Sequence, residues 1–402
     1  AILLIPRRLV GLVTLMKKQI SFLLLIWFLI VSPAHSKDRV IVVKISGAIN
    51  PAVAEYVSHE ISQANADQEA LIVLHMDTPG GLDTSMRQII KKIQVSQVPV
   101  ASFVAPSGSR AASAGTFITI ASHIAAMAPG TNIGAAHPVN MMGGGGEGGQ
   151  AKTMEKKVVN DAAAYIRSLA ELRKRNAHWA ELAVVQSVSI SAEEAKRLNV
   201  IDFIAGDVNA LVLAVDGRIV QVASGSVTLK TGGLPIVYHE MNPRQKFLDL
   251  ISNPNIAYIL MMLGLVGLYF ELSNPGLVLP GVVGAISLIL ALYAMQTLPI
   301  NYAGLLLILF GVILFIAEIS VMSYGLLSVS GVISIFLGST MLIDSDDPAL
   351  QISRAILYPT LGLTVALSIG IIIFATRTRN LKKQGGIEGM LGETGLVKEP
   401  LN

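Results

Sequence analysis

The chain contains no cysteine. That excludes disulfides, thiolate nucleophiles and cysteine-ligated metals, and it leaves any exported domain indifferent to an oxidising compartment. Charge is also scarce: 14% of the 402 residues are Asp, Glu, Lys or Arg, against 52% hydrophobic, with a formal net charge of +3. The basic residues form no stripe interleaved with aromatics, so the electrostatic footprint of nucleic-acid binding is missing. A composition this apolar excludes an ordinary soluble enzyme and requires membrane spans.

Arg7, Arg8, Lys17 and Lys18 precede an apolar run over residues 20–31, and Ser-Pro-Ala-His-Ser comes next at 32–36. This is the charged, hydrophobic and small-residue order of a secretory signal, with Ala34 and Ser36 suited to the cleavage site. Residues 1–36 are expected to be a signal peptide cleaved after Ser36. An uncleaved anchor helix reaching back past Leu15 is the alternative, and either one translocates the chain beyond Lys37.

Residues 37–206 alternate short β-rich runs (40–45, 71–76, 98–104) with helical patterns (51–66, 82–93, then 154–175, 179–186 and 191–198). Strands separated by helices of this length predict βαβ units in an α/β layered core, and the continuous apolar run 71–76 fits a parallel central strand. The run Gly-Gly-Gly-Gly-Glu-Gly-Gly at 143–149 predicts a flexible loop. It lacks the Lys-Ser/Thr ending of a phosphate-binding loop. Residues 207–246 are expected to be a polar connector with short strand-like runs.

From 247 to 376 the character changes. Apolar segments at 256–272, 282–298, 303–319, 326–343 and 356–375 are each close to the ~20 residues that cross a hydrocarbon core, which predicts five transmembrane helices. Gly264, Gly267, Gly311, Gly331 and Gly338 lie inside them, where small residues let helices pack closely. Glu271 and Glu318 stand near segment ends, as interfacial carboxylates do, and no paired intramembrane charge suggests a transport pathway. Arg377, Arg379, Lys382 and Lys383 come after the last segment, which places 377–402 in the cytoplasm, whereas 344–347 is acidic and fits the outer face. Five crossings from an exported domain end inside, so signal, span count and basic flank agree.

Two glycine-marked turns carry the candidate chemistry. Asp77-Thr-Pro-Gly-Gly81 comes after a buried strand and opens a helix, where the N–H groups of Gly80 or Gly81 can face a developing negative charge. Gly108-Ser-Arg-Ala-Ala-Ser-Ala-Gly115 joins a strand to an apolar segment and can present the Ser113 hydroxyl at a helix N-terminus. Turns of this kind also occur for packing alone.

Taken with Ala125-Ala-Met-Ala-Pro-Gly-Thr-Asn-Ile-Gly134, Lys157-Val-Val-Asn-Asp161, Ser191-Ala-Glu-Glu-Ala195 and Val200-Ile-Asp202, these motifs resemble the long-form NfeD family of ClpP-class membrane serine proteases. The resemblance spans nearly the whole chain. It implies an α/β ClpP/crotonase-like domain followed by an all-α transmembrane helix bundle. It also implies a Ser-Lys dyad with no cofactor or metal, and a stomatin or other SPFH-domain protein as membrane partner. Carried over by position, Ser113 is the nucleophile and Lys157 the general base, with Gly81 (or Gly80) and Ala114 offering oxyanion N–H groups. ClpP-class folds commonly form homo-oligomers. Long forms normally end in a small OB-like domain, of which 389–402 resembles only the opening strand.

A lysine can accept the serine proton only if burial keeps it neutral, so Lys157 is expected to be desolvated. Lys156 is its competitor, and a solvated pair at a helix start is the plainer alternative. His137 lies where soluble ClpP proteases place a triad histidine, but a Ser-His pair needs an acid to orient the ring. Residues 186–190, where that acid would precede Ser191, contain no carboxylate; His137 is therefore expected to shape the pocket. The chain is thus expected to be a membrane-anchored serine endopeptidase that cleaves apolar peptide segments of a stomatin- or SPFH-type partner. A non-catalytic scaffold for SPFH-domain proteins is the second hypothesis.

Overall fold

A computed structural model describes residues 39–138, 149–273, 276, 278–296, 298, 300–321, 323–343 and 351–379. The signal segment, most of the glycine run, the acidic 344–347 loop and the tail beyond 379 lie outside the described residues.

Six strands form one parallel sheet in the order β11-β1-β2-β3-β5-β8. They are β1 (Val40–Ser46), β2 (Leu71–Asp77), β3 (Val100–Val104), β5 (Ile124–Met127), β8 (Phe203–Ile204) and β11 (Ile236–His239). Every residue of β3 is buried, as are the first four of β2. Covered on both faces, such strands read as unbroken apolar runs. Alternate side chains feed two cores. Ile41, Val43, Ile72, Leu74 and Met76 pack beneath helices α1 (Pro51–Asp67), α2 (Asp83–Gln94), α3 (Ala114–Ala121), α4 (Gly149–Leu172) and α5 (Ala177–Val185). Val40, Val42, Leu71, Val73 and Phe103 face α7 (Val208–Val215) and the antiparallel hairpin β9 (Ile219–Val222) and β10 (Gly225–Thr228). The short helix α6 (Ala192–Arg197) is capped by Ser191, whose hydroxyl accepts from Glu194 N.

The stretch 207–246 is therefore no connector. It supplies α7, the hairpin and the edge strand β11, which pairs with β1 from Val40↔Ile236 to Val43↔His239. That strand forms the outer edge of the six-stranded sheet, beside β1.

Helix α8 (Pro243–Ile251), opened by an Asn242–Gln245 capping box, leads into five apolar helices. These are α9 (Pro254–Ser273), α10 (Val278–Met295), α11 (Tyr302–Ser320), α12 (Leu326–Met341) and α13 (Arg354–Arg379). Three of them, α9, α10 and α13, are long and apolar enough to cross a membrane. The other two are apolar but shorter, over Tyr302–Glu318 and Leu326–Met341. At 16 residues, α12 extends about 24 Å, short of a ~30 Å hydrocarbon core.

Close approach explains the glycines. A Cβ on Gly267 would meet Gly284 Cα at 2.8 Å, and one on Gly338 would meet Gly304 O at 2.6 Å, so α9 packs directly on α10 and α11 on α12. The Glu318 carboxylate accepts from Ser323 Oγ, Gly325 N and Ser328 N, closing the turn between α11 and α12. The end of the bundle nearest the α/β domain gathers the start of α9, the end of α10, the residue before α11 and the one after α12. Leu82 packs there with Ala257, Ala294 and Leu298, beside the paired Ile300 and Ile343. Ser353 N, just ahead of α13, donates to Asn255 Oδ1 at the same level. Helix α13 therefore leads away from the α/β domain.

One ionisable group in the core is held neutral. His123, between α3 and β5, accepts from Val100 N at 3.2 Å. Burial first, then Arg173 and Arg175, lower its pKa to about 3. The unfolded imidazole protonates near 6.5, so this contribution is full above that value and is lost as pH falls toward 3, by about 2 kcal/mol at pH 5. Thermal unfolding followed from pH 7 to 4 should show His123→Gln with a shallower loss of stability than the unmutated chain; parallel curves would contradict the assignment.

Candidate active site

Ser113 stands between β4 (Arg110–Ala112) and α3 in a conformation that non-glycine residues rarely adopt, φ 50° and ψ −116°. Such strain persists only where surrounding contacts enforce it. Three do. Ser113 N donates to Gly134 O at 3.2 Å. The buried Thr116 hydroxyl lies 2.9 Å from Ala111 O and 3.0 Å from Gly134 O, and it accepts from Gly134 N. Strand β4 is pinned on both edges, by β6 (Asn132–Gly134) and by a bridge from Ala111 to Thr78. Gly134 itself, at φ 135°, leaves no room for a side chain, since a Cβ would sit 2.2 Å from Val188 O.

The Ser113 side chain makes no capping bond to α3. Its hydroxyl is half-buried and makes no hydrogen bond among the described residues. Among the described residues the N–H groups of Ala114 and Gly81 also donate to nothing. Ala114 opens α3, where the helix dipole adds to the donor. Gly81 lies in the facing turn, which touches the serine turn directly: a Cβ on Gly115 would come within 2.6 Å of Thr78 Cγ2.

Of the two candidate glycines, Gly80 is spent. Its N–H donates to Thr78 Oγ1 at 3.1 Å, and its carbonyl accepts from Ile49 N at 2.8 Å. Gly81 keeps its N–H because Ile49 pairs only with its neighbours, taking Leu82 N on Ile49 O. At φ 153°, with Ile49 O 2.3 Å from an added Cβ, this position admits only glycine.

The two lysines do not meet the expectation of burial. Lys156 and Lys157 are both exposed. In α4, Val159, Ala162, Ala163 and Ile166 face the core, whereas Lys157 shares the solvent face with Asn160, Asp161 and Ala164. One turn beyond Lys157, Asp161 accepts from Arg87 at 2.7 Å, and the Arg87 guanidinium lies 4.3 Å over the Tyr165 ring. Tyr165 stacks on Phe117 of α3. These contacts fix α4 across the helices that leave both glycine turns. Apolar Met154 and Val158 are exposed beside Lys157, at 58% and 40%.

His137 is anchored through Nδ1, 2.8 Å from Val184 O. Ala135 N and Ala136 N bond to Val188 O and Ala183 O, so the stretch after β6 is stapled to the end of α5 and the residues before Ser189. Among the described residues the ring is oriented by a backbone carbonyl and not by an acid. Among the described residues no group of three or more His, Asp or Glu is placed to hold a metal ion.

Thr116, Thr78 and Ile49 went unread in the sequence. The threonine three residues after Ser113 is the one local signal available, because a hydroxyl at that point of a helix can reach back to the preceding turn.

The geometry defines a class: a membrane-anchored protein whose α/β domain presents a poised serine beside unspent backbone donors. Comparison with known proteins gives the family. The NfeD integral membrane domain matches residues 255–377, and the NfeD1b N-terminal domain matches 39–216. The membrane-bound protease PH1510 of Pyrococcus horikoshii is 34% identical over 393 residues, 96% of this chain and 88% of the relative. The membrane protein NfeD1b of Bacillus subtilis is 25% identical over 366 residues, 87% and 75% of the two chains. A solved structure of the 1510-N membrane-bound stomatin-specific protease, a lysine-to-alanine mutant in complex with a substrate peptide, is 35% identical and covers 54% of this chain and 98% of its own, with a TM-score of 0.49. The chain belongs to the NfeD family of membrane-bound proteases.

Thr116 supplies a direct test of how the serine turn is held. Thr116→Val would leave buried backbone groups unpaired and should lower unfolding free energy by about 1–3 kcal/mol, with Thr116→Ser close to the unmutated chain. Equal losses for both variants in denaturant titrations would show that the hydroxyl is not what holds the turn.

Proposed function

We propose that this chain is a serine endopeptidase that cleaves apolar peptide segments, with Ser113 as nucleophile, Lys157 as general base and the N–H groups of Gly81 and Ala114 as the oxyanion hole. The observation that carries the proposal is the strained Ser113 backbone with its unbonded hydroxyl, flanked by two unspent N–H groups. Attack by Oγ on a peptide carbonyl would put negative charge on the carbonyl oxygen, which those donors stabilise without reorganisation. The lysine accepts the serine proton and returns it to the leaving amine, and water then hydrolyses the acyl-enzyme.

Lys157 must be neutral to do this, and its exposure in the single chain means that something else removes the water. The exposed Met154 and Val158 beside it offer the surface. An apolar substrate segment, or a second copy of the chain, covering these side chains would take the amine out of water, which favours its neutral form. The base is assembled when substrate or partner arrives. Family kinship suggests a stomatin-type SPFH protein as that partner. The basic flank after the last span supports a reading in which the tail is cytoplasmic and the α/β domain lies on the outer side of the membrane.

The exposure of Lys157 favours one rival, a non-catalytic scaffold that gathers SPFH-domain proteins. Labelling with a serine-reactive phosphonate across a pH series, with an apolar peptide present, separates the two. The proposal predicts labelling at Ser113 that rises with pH as the amine loses its proton. It also predicts a loss of about 10²–10⁴-fold in peptide cleavage for Lys157→Ala, and no cleavage by Ser113→Ala. Absence of label throughout, with peptide cleavage no faster than by Ser113→Ala, would leave the scaffold standing.

A further inference from the structure

We infer that this protein cuts its substrate beside the bilayer, and that the membrane-side residues of the bound segment occupy a cavity between the α/β domain and the helical bundle. The inference rests on Ser113 acting as the nucleophile and adds where along a membrane protein the scissile bond must lie.

A cavity of about 240 Å³ opens at this junction, lined among others by Asn50, Pro79, Leu82, Asp249, Pro254 and Leu298. Pro79 and Leu82 bracket the Gly80–Gly81 turn, so one wall is the back of the oxyanion donor. The opposite wall is the link between α8 and α9, where the chain enters its first membrane-length helix. Leu82 is buried in an apolar cluster with Ala257, in the first turn of α9, and with Ala294 and Leu298 at the end of α10. A single layer of side chains therefore separates Gly81 from the bundle.

Polar contacts fix the same spacing. Asn50 Nδ2 donates to Asp249 Oδ1 at 2.7 Å, while the adjacent Ile49 holds Gly80 O and Leu82 N. The level of the bilayer surface is taken from α8, which exposes Phe247 and, at the cavity's edge, Leu250 at 48% and 55% three residues apart, with Arg244, paired to Glu55 of α1, one turn before Phe247. An apolar stripe with a cationic end, immediately before a spanning helix, is the pattern of a segment lying in the membrane interface.

The lining suits one occupant, an extended peptide leaving the hydrocarbon. Its apolar side chains would meet Pro79, Leu82 and Leu298. Its backbone groups, which cannot remain unpaired once out of a spanning helix, would meet Asn50, Asp249 and Ser46. Nothing comparable is needed by a soluble loop arriving from the aqueous side.

The test uses the full chain in phosphatidylcholine–phosphatidylglycerol vesicles with single-span substrates that carry one apolar cleavable sequence. The spacer between span and sequence is set at about 3, 10 and 20 residues. A tether that cannot span the gap gives no cleavage, and one longer than needed dilutes the substrate as roughly the −3/2 power of its length. The shortest spacer should be cut fastest, with kcat/KM falling about tenfold by the longest. An optimum at the longest spacer, or a rate independent of spacing, would overturn the juxtamembrane placement. Phosphonate labelling of Ser113 in the same vesicles distinguishes the failures: label with the wrong spacing rule sinks this inference alone, whereas no label sinks the serine assignment with it.

Discussion

The site depends on one local constraint, the refusal of the Ser113 backbone to relax. A non-glycine residue at φ 50° and ψ −116° is unfavourable by itself. It is retained because Gly134 O, Thr116 Oγ1 and the Ala111–Thr78 bridge leave the chain no alternative path. The same contacts that hold the strain also place Gly115 against Thr78, which brings the second glycine turn to the serine. The unbonded serine hydroxyl and the unspent N–H groups are thus two outcomes of one packing arrangement. That arrangement is built from small residues because nothing larger fits: side chains at Gly81 or Gly134 would overlap backbone atoms.

A second constraint links this site to the membrane. Ile49 is the common element, since its backbone positions Gly80 and Leu82 while its neighbour Asn50 reaches Asp249 on α8, the helix that leads into the bundle. The bundle then continues as glycine-packed hairpins, α9 with α10 and α11 with α12. Three of the five apolar helices are long enough to cross a bilayer, and the last of them, α13, starts level with the α/β domain and leads away from it.

Much of this was legible in the sequence, for identifiable reasons. Strand β2 was readable because a strand covered on both faces has no polar alternation, and α4 because its core stripe at 159, 162, 163 and 166 keeps the helical period. Strand β11 was not. Four residues, Ile-Val-Tyr-His, carry no period, and their strand character comes from pairing with β1 nearly two hundred positions earlier. The choice between Gly80 and Gly81 was also out of reach, because it turns on which N–H is already spent on Thr78. Lys157 shows the reverse case. The sequence motif named it, while the helix phase that exposes it required the buried stripe of α4 to be known. Under the proposed chemistry, its solvent position in one chain calls for a cover over the exposed Met154 and Val158.

The central claim is that Ser113, Gly81, Ala114 and Lys157 converge on one reacting carbonyl. A structure of the full chain with a peptidyl phosphonate bonded to Ser113 Oγ tests it most directly, because the phosphoryl oxygen takes the position of the oxyanion. The account predicts that oxygen within about 2.7–3.1 Å of both Gly81 N and Ala114 N, and the Lys157 amine drawn out of solvent to within hydrogen-bonding reach of Oγ. An adduct whose phosphoryl oxygen meets neither N–H, or one formed with Lys157 still in bulk water, would contradict it.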